Sequence, residues 1–172
     1  MTFDWPSPAQ FVCATMAPVA LLVSACSPQS AAQIPEATSS TPAVHPVSGL
    51  EVIPLTISQN GETHEFRVEV ARSAEEWSRG LMFREEMGAD EGMIFVGRPG
   101  RSASFWMRNT VIPLDIIFIG TDNRILNYHA MTEPFSLESL PSAGLTNAIL
   151  EINGGRLGEL GFTPGAVVEW ED

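Results

Sequence analysis

The sequence predicts a β-rich α+β domain, built as a small, mostly antiparallel closed or partly open β-barrel with one or two short helices. Three observations lead there. About seven or eight short runs read as strands, two of them with strict apolar–polar alternation. An Asn-Gly pair, Asn60-Gly61, separates two such runs. Only two stretches carry helical signals. Strands this many and this short protect their edges by curling into a small barrel.

The elements follow in order. Ile53, Leu55 and Ile57 alternate before Asn60-Gly61, and Phe66, Val68 and Val70 alternate after it. A type I′ turn needs positive φ at both central residues, which Asn-Gly supplies, so a hairpin is expected. Glu65, Arg67 and Glu69 would then face water, and Pro54, lacking an N–H, marks an edge position. Ser73 followed by Glu76 reads as a capping box. The helix it opens puts Trp77 and Leu81 on one side, is weakened by Gly80, and should stop near Phe83 or Arg84. Further strands are expected at 93–96, 103–108, 114–119, 124–129, 147–153 and 167–170. Residues 132–144 read as the longest loop and 156–160 as one helical turn.

Outside the domain, residues 1–25 read as a signal peptide. The apolar run 11–25 is too short to span a bilayer but suits a secretory hydrophobic segment. Leu22-Val23-Ser24-Ala25-Cys26 resembles a bacterial lipobox, making Cys26 the expected lipidation site. Cleavage after an ordinary Val-x-Ala site is the alternative, and the leading MTFDWPSPAQ, without Lys or Arg, is atypical of such signals. Residues 26–49, rich in Pro, Ala, Ser and Thr, read as a disordered tether in which His45 is solvated. Residues 50–172 form the single β-rich domain. The expected location is the cell envelope, on the periplasmic face of the outer membrane, or else secreted to the periplasm; the membrane is the expected partner, through the lipid.

Nine arginines, no lysine and 21 acids give a net charge of −12, which argues against a basic stripe for nucleic acid. Both cysteines, Cys13 and Cys26, precede the domain, so it has neither a disulfide nor a thiolate metal site. No cofactor motif or nucleophilic triad is visible.

Chemistry-bearing residues cluster in a few places. Asp115 interrupts the apolar run 114–119 and calls for a cation, with Arg79, Arg84 and Arg108 upstream as candidates; the pair could be a site or a fold-fixing ion pair. Glu151 poses the same question between Ile149 and Asn153, and with Asp115 it could form the acid–base pair of a carboxylate-dependent hydrolase or lyase. Trp106, Asn109 and Thr110 offer a stacking face and directed hydrogen bonds for a small polar ligand, or else a core indole and a turn. Met82, Met93 and Met107, with Met87, could serve periplasmic Cu(I), or fill gaps in the core. His64 and His129 show no metal spacing.

Several strings occur in a telling order: Gly80-Leu81-Met82-Phe83-Arg84, Gly92-Met93-Ile94-Phe95, Phe105-Trp106-Met107-Arg108-Asn109-Thr110, Pro113-Leu114-Asp115-Ile116, then residues 148–155 and 160–165. Together they resemble the bacterial and archaeal family called domain of unknown function 192, over roughly residues 57–170. The resemblance implies a compact β-rich domain, often behind a signal peptide or lipobox, and no established activity. It carries over Arg84, Trp106, Asn109, Thr110, Asp115 and Glu151 as the family's polar and aromatic positions. The chain departs from the pattern at Gly165-Ala166, where Gly-Asp is usual, and in a 132–144 loop without the usual Tyr. The expected function is an envelope-anchored, non-enzymatic binding or accessory domain, its small polar ligand held by Arg84, Trp106, Asn109 and Asp115.

Overall fold

A computed structural model describes residues 43–171. The signal peptide, Cys26 and most of the tether lie outside them. The elements are β1 (Ala43–Val44), β2 (Glu51–Gln59), β3 (Glu62–Ala71), α1 (Ala74–Arg79), β4 (Glu91–Phe95) and β5 (Ser104–Phe105). They continue with β6 (Leu114–Gly120), β7 (Ile125–His129), β8 (Leu140–Pro141), β9 (Thr146–Asn153), α2 (Arg156–Glu159) and β10 (Val167–Trp170).

The β2–β3 hairpin forms as its sequence dictates. Gln59 pairs with Glu62 across a two-residue turn with Asn60 at φ 55° and Gly61 at φ 86°. Pro54 falls between the two short strands flanking the other edge of β2: β1 at Glu51–Val52 and β10 at Leu55–Ser58. The main sheet runs β1-β2-β3-β4-β9-β6-β7, with β10 on β2. It is mostly antiparallel; β3 and β4 are parallel, and α1 lies in the chain between them.

The ladder closes into no barrel among the described residues. Its ends meet only at the bridge Arg124–Val167, supported by Ile125 N–H to Ala166 C=O at 2.9 Å and Val168 N–H to Asn123 C=O at 2.8 Å. From that bridge β10 runs past the start of β7 toward Asn123, and the residues that would pair with the rest of β7 form a turn closed by Ala166 N–H to Thr163 C=O at 3.1 Å.

Three local expectations need correction. The strand expected at 103–108 shrinks to β5, which pairs with β8 inside the long 132–144 loop. Helix α1 has its capping box, with Ser73 and Glu76 bonded reciprocally, but ends at Arg79 because Gly80 turns out at φ 46°. Residues 43–49, expected as the end of the tether, are part of the domain: β1 pairs with β2, and His45 sits against Glu69 and Arg84 rather than in solvent.

Strand alternation divides the apolar side chains into two clusters on opposite sheet faces. One holds Leu55, Ile57, Phe66, Val68, Ile117, Leu150, Ile152 and Val168, with Leu157 of α2. The other holds Leu81, Met93, Phe95, Met107, Leu114, Ile116, Phe118 and Ile149, with Trp77 and Phe105 packed against it. Burial of this many large side chains, each contributing about 1.5–3 kcal/mol, explains how the domain is stable without a disulfide.

Candidate functional site

Asp115 and Glu151 sit on adjacent strands but point away from each other. In the β6–β9 register Asp115 faces Ile152 and Ile116 faces Glu151, so the carboxylates leave opposite sides of the sheet. This overturns the acid–base pair expected from sequence.

Asp115 is fully buried on the face of the first cluster. Its Oδ1 accepts backbone N–H groups from Met131 at 2.9 Å and Gly155 at 2.7 Å, and its Oδ2 accepts from Leu157 at 2.9 Å. Three amides do what a guanidinium was expected to do. The carboxylate ties α2 and the loop after β7 to the middle of the sheet, satisfying donors that would otherwise be orphaned at the start of a short helix. Asp115 is part of the framework.

Arg84 also finds a partner other than the expected one. Its Nη2 reaches Glu69 Oε1 at 2.7 Å and Oε2 at 3.1 Å, and its Nη1 lies 3.4 Å from His45 Nε2. Glu69, expected to face water, is 3 % exposed because β4 and the residues after α1 cover that end of β3. Arg84 borders a separate recess with Met82, Phe83 and Met93. Asn109 is a turn residue: at φ 56° it adopts the left-handed conformation Asn tolerates, and its carbonyl accepts the Phe83 N–H at 2.8 Å. Met93 and Met107 lie in the core, and Met107 Sδ already accepts the Thr132 hydroxyl at 3.1 Å. Two of the three thioethers of the copper reading are thus enclosed.

The remaining predicted residues, Trp106, Thr110 and Glu151, do come together. They border a cleft of about 400 Å³ on the second sheet face, shared with Trp77, Phe95, Phe105 and Gly80. Volumes of about 300–1,000 Å³ are typical of small-molecule sites. Its aromatic wall is a chain of edge-on contacts: Trp77 to Phe95 at 5.4 Å and Phe95 to Phe105 at 5.0 Å between ring centres. Trp106 is 48 % exposed, a large indole left open at the mouth.

Glu151 is 5 % exposed, and its Oε2 has no hydrogen-bond partner. Burial without a counter-charge pushes its carboxyl up to about 8, so it is mainly protonated at neutral pH. Gly80 makes room above it: a Cβ there would stand 3.3 Å from the Phe95 ring and 3.8 Å from Glu151 Oε2.

Arg79, Arg98, Arg101 and Arg108 line the same cleft. Arg98 lies 4.4 Å from the Trp77 ring centre and Arg108 lies 5.5 Å from that of Trp106. The loop carrying Arg98 and Arg101 is fastened to β9 by Gly100 N–H to Thr146 C=O at 2.8 Å and Thr146 N–H to Arg101 C=O at 2.9 Å. Sequence reasoning missed Arg98 and Arg101 as site residues, although two arginines around Pro99-Gly100 were a visible signal. It named Arg79 and Arg108 only as partners for Asp115.

The fold and this cleft define a small β-rich domain with an aromatic-walled depression of small-molecule size, close in volume to the recess beside Arg84. The chain belongs to the DUF192 family, described as an uncharacterized ACR, whose model matches residues 55–170. Among solved structures it is similar to a protein of unknown function from Novosphingobium aromaticivorans DSM 12444, with 54 % identity over 77 % of this chain and 94 % of that one, at a TM-score of 0.74. It is also similar to a protein from Sinorhizobium meliloti 1021 described as a putative transcription regulator, with 33 % identity over 70 % of this chain and 95 % of that one, at a TM-score of 0.68. No curated protein matches the chain.

Proposed function

We propose that this domain binds a small polar ligand in the Trp106–Thr110–Glu151 cleft, and that it does so at the cell envelope, anchored through a lipid on Cys26. The observation that carries the ligand reading is Glu151: a buried carboxyl with an oxygen that no protein group satisfies, beneath an open aromatic cleft. An unmet buried polar atom costs about 1–3 kcal/mol, and a ligand hydrogen bond would recover that cost. The exposed Trp106 indole gives the ligand a flat face to stack on. The lipobox-like string at Leu22–Cys26 supports the anchor.

The regulator description of the Sinorhizobium relative is not carried over. A chain at −12 has little charge to offer a phosphate backbone, and a cleft of about 400 Å³ suits a small molecule rather than a duplex.

A thermal-shift screen of envelope sugars and short peptides tests the ligand reading. A hit should be lost in Trp106→Ala while the variant still folds. If no compound shifts the melting temperature, and Trp106→Ala changes stability alone, the reading fails. Palmitate feeding tests the anchor: label on the wild-type chain and none on Cys26→Ser is expected, and an unlabelled wild-type chain removes the lipid.

A further inference from the structure

Four of the nine arginines in an acidic chain line one cleft. Of the other five, Arg67 is exposed on β3 and four are used differently. Arg72 pairs with Glu51, Arg84 with Glu69, and Arg156 with Asp90 and Glu159, while Arg124 donates to the Gly165 carbonyl at 2.8 Å. Arg79, Arg98, Arg101 and Arg108 have no carboxylate within ion-pair distance among the described residues. The sole acid bordering the cleft is Glu151, which is neutral at pH 7. The local charge is therefore about +4 inside a molecule of −12, and the low-dielectric aromatic wall strengthens its field.

Two of these guanidiniums lie over indoles, Arg98 on Trp77 and Arg108 on Trp106, and so flank the opening with a flat apolar surface and a cation side by side. Trp77 spends its N–H on the Val96 carbonyl at 3.0 Å, so its ring offers only its apolar face. Such a mouth fits a molecule with a ring to stack and an anionic group to meet the arginines.

We propose that the cleft takes a small ring-bearing anion, an acidic or phosphorylated sugar, with its anionic oxygens on Arg79, Arg98, Arg101 and Arg108 and its stacked ring on Trp106. This deepens the ligand reading above and rests on it. Protonated Glu151 supplies a donor at the cleft floor; once ionised it would repel the ligand. Beside it on the sheet are apolar Met93, Phe95 and Ile116, and Gly80 stands above it; Glu69, two strands away, is held by Arg84, and the four arginines line the same cleft without offsetting the burial that keeps Glu151 protonated. The arginines stay charged throughout the working pH range, so a loss of affinity around pH 8 would belong to Glu151.

Titration calorimetry on the full chain, with glucuronate, glucose 6-phosphate, glucose and inorganic phosphate at pH 6.5 and pH 9, tests the proposal. At pH 6.5 one or both sugar anions should bind at least about tenfold more tightly than glucose and than phosphate, and which of them does so separates a carboxylate ligand from a phosphate one. At pH 9 the affinity should fall about tenfold, and Glu151→Gln, which keeps a donor at every pH, should flatten that dependence. Arg98→Gln and Arg108→Gln, on the surface and safe for folding, should each weaken the anion several-fold. Glucose binding as tightly as the acids overturns the anion inference and leaves the ligand reading standing. Phosphate matching glucose 6-phosphate overturns the stacked ring. An anion affinity unchanged in both arginine variants overturns the assignment to this cleft. No binding by any probe, together with an empty thermal-shift screen, overturns both readings.

Discussion

Glu69 and Glu151 occupy one lateral row of the same sheet face, with Met93 between them, yet only Glu69 has a guanidinium. The β3–β4 register sets Glu69 beside Met93, and the β4–β9 register sets Met93 beside Glu151. At a strand spacing of about 4.8 Å the two acids stand roughly 10 Å apart. Arg84, carried by the segment after α1, folds over the first and does not reach the second. One face thus holds a closed ion pair and, two strands away, an acid kept neutral by burial.

That difference has a pH signature. Below its ordinary value of about 4.5, Glu151 is protonated in both folded and unfolded chains. Between 4.5 and about 8 only the unfolded chain ionises, so folding stability declines as pH rises through this window, by a total on the order of 5 kcal/mol, and then levels off. Glu151→Gln should remove the decline and be more stable than wild type at pH 8. Urea unfolding at pH 5 and pH 8 measures both; equal slopes in the two proteins would contradict it.

Breaking the Glu69–Arg84 pair from one side should be costly. Arg84→Met leaves a 3 %-exposed carboxylate without its cation, for a loss of about 3–5 kcal/mol. Adding Glu69→Gln to that variant should restore much of the stability, because the uncompensated charge is gone. Chemical unfolding of the two single variants and the double variant gives the coupling.

Asp115→Ala strips the acceptor from three backbone N–H groups at once. A loss of about 3–5 kcal/mol is expected, since each unmet donor costs about 1–3 kcal/mol and some will find water. Hydrogen exchange offers a sharper reading: the amides of Met131, Gly155 and Leu157 should lose protection before the strands do.

Gly80→Ala places a Cβ on a backbone at φ 46°, ψ −136°, which side chains avoid, and 3.3 Å from the Phe95 ring. A destabilisation of about 1–3 kcal/mol is expected, measured by thermal unfolding. Crowding beside Glu151 should also weaken any ligand seen in the screen.

The longer strands were legible in the sequence because they are recorded in their own residues: alternation in β2 and β3, Asn60-Gly61 between them, Ser73 and Glu76 at the start of α1; the two-residue β1, β5 and β8 exist only through their partners. The site was legible only in part. That Asp115 is buried follows from its apolar neighbours; that it is met by amides of residues 131, 155 and 157 depends on loops distant in the chain, which no local pattern encodes. Strand parity alone could have separated Asp115 from Glu151, but only once the register of β6 on β9 was known. Trp106, Thr110 and Glu151 share a cleft, but the expected grouping of Arg84, Trp106, Asn109 and Asp115 does not assemble, and Arg98 and Arg101 enter the cleft because Thr146 fastens their loop to β9. The narrow seam had the same origin: whether the chain before β10 continues along β7 depends on the turn at residues 163–166.

The lone bridge between Arg124 and Val167 makes that seam the place where the sheet unzips. Four-residue β10 is clasped to β2 on one side and to the start of β7 by a few hydrogen bonds on the other. A transient parting there bares Val168 and Ile125 while the strands from β3 to β6 stay paired, so proteases and deuterium would enter this domain by its last strand.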